Sequence, residues 1–86
     1  MDINDLIAII KKKLKKEIFI ENITIEDKSF LHKDHSSNQK GKFHLKISIK
    51  STELKKLSKI NSNRKIYKIL DVELKKYIHS LQILIN

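Results

Sequence analysis

The sequence predicts an α+β sandwich in which a three-stranded sheet carries helices on one face. Three observations predict it. Residues 3 to 16 and 62 to 77 place apolar side chains at helical spacing. Residues 43 to 50, FHLKISIK, alternate apolar and polar without a break. No proline interrupts the chain, and two further segments are rich in β-branched residues.

The elements follow in order. In the first helix Ile3, Leu6, Ile7, Ile10 and Leu14 form the apolar stripe. Asp2 and Asp5 sit at its start, where carboxylates suit the helix dipole. Lys11, Lys12, Lys13, Lys15 and Lys16 sit at its end, where cations suit it. Residues 18 to 26, IFIENITIE, read as a strand. The next strand buries Phe43, Leu45, Ile47 and Ile49 and turns His44, Lys46, Ser48 and Lys50 to water. Residues 53 to 57 form a short helical turn. A second main helix spans 62 to 77, with Ile66, Tyr67, Leu70, Leu74 and Tyr77 as its stripe and Ser62 or Asn63 as its cap. IHSLQILI closes the chain as a strand. Its Leu81, Ile83 and Ile85 share one face.

Composition sets limits. Eighty-six residues make one domain, 1 to 86, with a thin core. No run reaches the roughly 18 apolar residues of a membrane span, and MDINDLIAII opens acidic where a secretory leader opens basic; the expectation is a soluble cytoplasmic protein. With no cysteine, the chain has neither disulfides nor thiolate chemistry, and it cannot hold an iron–sulfur cluster by the usual cysteine ligation. There is no glycine-rich phosphate loop and no convincing Ser-His-acid set, so an enzyme is not expected.

The net charge of +9 invites a nucleic-acid reading. Against it, all the basic residues but Arg64 are lysines, a skew that an AT-rich genome writes into any protein. Specific nucleic-acid surfaces favour Arg forks and stacking aromatics, and the few aromatics here fall mostly at positions that look like core. If nucleic acid is bound, the basic face of the second main helix is the candidate: Arg64, Lys65, Lys68, Lys75 and Lys76.

The long connection between the first two strands holds the other candidates. It reads DKSFLHKDHSS from residue 27, with His32 and His35 three apart and His44 nine further on. Connections of this length tend to be functional or mobile. Neutral imidazoles bind zinc, so His32, His35 and His44 make a conceivable mononuclear site with Asp34 nearby, although the spacing matches no established zinc pattern. On the residues alone His44 reads as exposed, and His79 as a satisfied structural histidine.

Taken together, four landmarks resemble the BolA family. They are Asp27-Ser29-His32-His35 in the loop, Gly41-Phe43-His44 leading into the second strand, SNRKIYKILDVEL from Ser62, and Ile78-His79-Ser80-Leu81 at the last strand. The resemblance implies a class II KH-like fold of order α-β-β-α-α-β with a three-stranded mixed sheet. The residues themselves argue against KH-style clamping of RNA, because the only glycine, in QKGK, is not part of a Gly-x-x-Gly loop. The resemblance further implies an adaptor that is a monomer alone and forms a heterodimer with a monothiol glutaredoxin, in iron–sulfur trafficking or iron homeostasis. The pair would share a [2Fe–2S] cluster with glutathione. On this side the resemblance assigns ligation to a loop histidine, His32 with His35 as alternative, and to the position of Asn63. There the family's Arg-His-Arg stretch has its histidine, and a carboxamide is a poor iron ligand. Asn63, Arg64 and His44 are the implied partner contacts. Some members are described as DNA-binding regulators, which is the alternative reading. A third is a relative that kept the fold and lost the cluster.

Overall fold

A computed structural model describes residues 1–29 and 42–86. The elements are α1 (Ile3–Glu17), β1 (Asn22–Asp27), β2 (Phe43–Lys50), α2 (Thr52–Lys55), α3 (Lys59–Ile69), α4 (Asp71–Lys76) and β3 (Ile78–Ile85). His32, His35 and Gly41 lie outside the described residues, as does most of the connection that holds them.

The sheet order is β1-β2-β3. β1 runs antiparallel to β2, with Ile23 opposite Ile49 and Ile25 opposite Ile47. β3 runs parallel to β2, with Leu45 opposite Leu81 and Ile47 opposite Ile83. A parallel neighbour needs a long crossover, and α2, α3 and α4 supply it. The sheet is therefore mixed, as expected. β2 matches its predicted bounds, and Leu45, Ile47 and Ile49 are buried. The other sheet face carries Thr24, Lys46, Ser48 and Gln82, none of them buried.

α1 starts on Asp2, whose side chain accepts a hydrogen bond from the Asn4 N–H. It buries Leu6, Ile10 and Leu14, one turn apart. With Leu54, Ile66, Leu70 and Ile78 these residues close a core that is wholly Leu and Ile among the described residues. The described aromatics divide: Phe43 and Tyr77 are partly buried and pack against this core as expected, whereas Phe19 is 70% exposed and Tyr67 42%.

Three of the departures from the expected boundaries have a clear local reason. The strand predicted from residue 18 begins at Asn22. Ile18 ends α1 by donating its N–H to Leu14 O. The Phe19 C=O then accepts from Ser51 Oγ at 2.7 Å, so side chains of the β2–α2 turn hold this stretch in place of a ladder. The second main helix begins earlier than residue 62. Ser58 caps α3 by accepting from the Asn61 N–H at 3.1 Å. Ser62 and Asn63 are therefore helix-interior residues and not caps; Ser62 Oγ instead donates to Lys59 O. The helix also divides at Leu70 (φ −97°, ψ 19°), although hydrogen bonds from Leu70 N to Ile66 O and from Leu74 N to Leu70 O cross the joint.

Candidate functional site

The β2–β3 pairing brings two histidines together. β2 and β3 meet at their starts, where Phe43 faces Ile78 and His44 faces Ser80, with an irregular step between Phe43 and His44. His44 is only 6% exposed. This corrects the expectation that it is an outward, wet residue. Its Nδ1 lies 2.6 Å from Ser80 Oγ, and its ring meets the His79 ring edge-on at 4.7 Å between centroids, so β3 covers it. The His44 backbone is equally engaged. Its N–H donates to Ser29 Oγ at 3.1 Å, and its C=O accepts from the Lys28 N–H at 2.7 Å.

His79, read from the sequence as a satisfied structural histidine, has its ring against that of His44. It is exposed, and it presents an imidazole to solvent beside a buried one. The long connection leaves and re-enters the described structure at this same end. Asp27 Oδ1 accepts from the Ser29 N–H at 2.9 Å and turns the chain out of β1. Phe43 begins β2 with its N–H on Tyr77 O. A shallow cavity of about 290 Å³ beside His44 is bounded by Lys28, Lys46, Ser80 and Gln82. Among the described residues no group of three or more His, Cys, Asp or Glu could hold a metal ion. Of the zinc trio only His44 is described, and Asp34 also falls outside.

Asn63 sits elsewhere. It lines a separate cavity of about 360 Å³ with Leu54, Leu57 and the Ile83–Ile85 end of β3. His79 and Ile85 are six positions apart on β3, about 20 Å at the rise of a strand. Asn63 thus lines a different cavity from the one beside His44. Arg64, next to Asn63, is exposed.

The basic residues are distributed differently from the sequence reading. Lys65 is paired with Glu53 at 3.1 Å, and Lys75 with Asp71 at 3.2 Å one turn away. The Lys65 hydrogen bond, helped by the Phe19 N–H, holds the Glu53 carboxyl below the ordinary carboxylate value. Lys65 and Lys68 share a groove of about 570 Å³ with Lys13 and Lys16 of α1, floored by Ile69. The sequence accounts for the α1 lysines by the helix dipole alone, because it does not show that α1 and α3 lie side by side. Lys13 also reaches inward, with its Nζ 2.6 Å from Glu73 Oε2. Glu73 is 4% exposed, and its Oε1 has no hydrogen-bond partner among the described residues.

The model of the BolA-like protein family matches residues 14–86, most of the chain. The chain belongs to the BolA family. A relative named DNA-binding transcriptional regulator BolA, from Haemophilus influenzae, is 36% identical over 73 residues, which cover 85% of this chain and 68% of that protein. SufE-like protein 1 of Arabidopsis thaliana is 33% identical over 79 residues; the match covers 86% of this chain but only 21% of that longer protein. Among solved structures, the BolA domain of SufE1 from Arabidopsis thaliana superposes with a TM-score of 0.76 at 29% identity, covering 92% of this chain and 87% of that one. BolA1 from Arabidopsis thaliana gives 0.74 at 26%, covering 91% and 86%. The BolA fold inferred from the four landmarks is thus the fold observed. No described helix is long and apolar enough to cross a membrane.

Proposed function

We propose that this BolA-family chain is an adaptor that docks on a monothiol glutaredoxin in iron–sulfur trafficking or iron homeostasis. The observation that carries the reading is exposed His79 set edge-on against buried His44, at the end of the sheet where the His32 and His35 connection starts and stops. Imidazole nitrogens are good iron ligands, as in Rieske centres, so the donor chemistry at this end fits a shared [2Fe–2S] cluster. His79 and one of His32 or His35 would hold it; the partner's cysteine and glutathione would complete it. The Ser80 contact fixes the orientation of His44, and His44 backs the His79 ring. On this reading the asparagine at position 63 does not cost the site a ligand, because it belongs to the other end of β3.

The test is titration of the protein into a glutathione-loaded [2Fe–2S] glutaredoxin, followed by visible circular dichroism and size-exclusion chromatography. A heterodimer with a changed spectrum, lost in His79→Ala and kept in Asn63→Ala, is the expected result. A heterodimer with an unchanged spectrum refutes cluster sharing and leaves docking. Absence of a heterodimer refutes the adaptor reading.

A second reading, DNA binding, rests on the lysine groove between α1 and α3 and on the name of the Haemophilus influenzae relative. It requires affinity for duplex DNA that falls steeply with salt and weakens in Lys16→Ala and Lys68→Ala. No binding at low salt removes it.

A further inference from the structure

The two edges of the sheet are built differently. β1 is six residues long and carries Glu26 and Asp27. β3 is eight residues long and carries no Lys, Arg, Asp, Glu, Pro or Gly, in a chain that is 34% charged. Natural proteins usually guard an open edge with charge, proline or shortness, because its free peptide groups recruit other strands. β1 follows that practice and β3 does not.

The peptide groups of β3 point as strand addition requires. The Asn86 N–H donates to Ile49 O at 2.7 Å, so the even-numbered positions turn toward β2. By alternation, Leu81, Ile83 and Ile85 turn theirs outward. The Tyr67 hydroxyl on Leu81 O agrees and occupies one of these acceptors. Among the described residues no strand pairs with this edge. Beside it runs the cavity of about 360 Å³, with Leu54 and Leu57 across from Ile83 and Ile85. Leu84, on the other face of the strand, is 41% exposed. Lys55 and Lys59 line the cavity, and no carboxylate does.

We infer that the Ile83–Ile85 edge of β3 is a docking site for an extended acidic segment of a partner protein, added as a fourth strand. Strand addition takes its affinity from main-chain hydrogen bonds and its specificity from pockets for alternate side chains. Here apolar residues of the incoming strand meet Leu57 and Leu84, and its carboxylates meet Lys55 and Lys59. Charge decides between occupants. A second copy would bring another +9 against the same lysines. Single-stranded nucleic acid is disfavoured because no aromatic or Arg lines the cavity to stack a base. This edge lies at the opposite end of β3 from His79, so the inference stands apart from cluster sharing.

The probe is a blocked octapeptide alternating valine and glutamate, with a control N-methylated at the amides along one edge. Amide exchange read by nuclear magnetic resonance is expected to slow at least tenfold at Ile83 and Ile85 with the first peptide and not with the control. Protection is expected to persist in His79→Ala and to fall at least tenfold in Leu84→Glu and Lys59→Glu. Lys59 is exposed, so its variant keeps the test valid should Leu84→Glu not fold. Four results would each overturn the inference: no protection at millimolar peptide, equal protection by the methylated control, stronger protection by oligothymidylate, or a free protein already dimeric with these amides protected.

Discussion

Removing the Lys13 ammonium tests how α1 is fastened to α4. Glu73 is nearly enclosed, with one oxygen 2.6 Å from Lys13 Nζ and the other without a partner among the described residues. In Lys13→Met the stem survives and the charge is lost, leaving a buried carboxylate uncompensated. Breaking a fully buried pair costs about 3–5 kcal/mol. The Lys13 side chain is 39% exposed, so solvent already weakens the attraction, and about 2–3 kcal/mol is the expected loss. For a domain of this size that lowers Tm by roughly 10–20 °C. The double variant Lys13→Met/Glu73→Leu removes both charges and the orphan oxygen, and it is expected within about 1 kcal/mol of the parent or above it. Urea unfolding at pH 7 of the parent, both singles and the double gives the cycle. A Lys13→Met loss below about 0.5 kcal/mol, the scale of an exposed pair, would refute the argument that Glu73 depends on Lys13.

Three further outcomes follow from named contacts. Ser58→Ala removes the cap of α3 and should cost about 1 kcal/mol in urea unfolding, whereas Asn63→Ala, inside the helix, should cost less. The Glu53 carboxyl lies below its ordinary value, so it contributes stability above the unfolded-state value that is lost as pH falls through the folded-state one; in a side-chain carbon titration Lys65→Met should move its midpoint back up. Ile47→Ala, at a fully buried position in the central strand, should lose about 2–5 kcal/mol by the same unfolding measurement.

How much the sequence disclosed depended on whether the signal was local. β2 announced itself by strict alternation, and α1 by an apolar stripe between acidic and basic ends. The start of β1 did not, because Ile18, Phe19 and Ile20 have strand propensity while Ser51, distant in sequence, takes the Phe19 carbonyl. The start of α3 is not marked locally: Ser58 and Ser62 are both residues that can cap a helix, and only the structure shows that Ser58 serves. The joint at Leu70 has no glycine or proline to mark it. At the site the same limit applied. His44 alternates onto the outer face, yet the irregular step at Phe43 and the parallel register of β3 set it under Ser80 and His79. That register joins residues about 35 apart in sequence, and no periodicity within either strand encodes it. The family landmarks were legible residue by residue; which of them share an end of the sheet was not.

The wholly aliphatic core has a practical consequence for any laboratory handling the protein. With no tryptophan in the chain and only Phe43 and Tyr77 as aromatic rings packed against the described core, fluorescence and near-ultraviolet dichroism sample its interior at few points. The core residues are dense in methyl groups, and β-branched isoleucines hold theirs in few rotamers. Isotope-labelled Ile and Leu methyls would report on nearly every packing contact that closes the sandwich. Agreement between methyl loss and helix loss along one urea series is then the appropriate check that the core and the backbone melt as a unit.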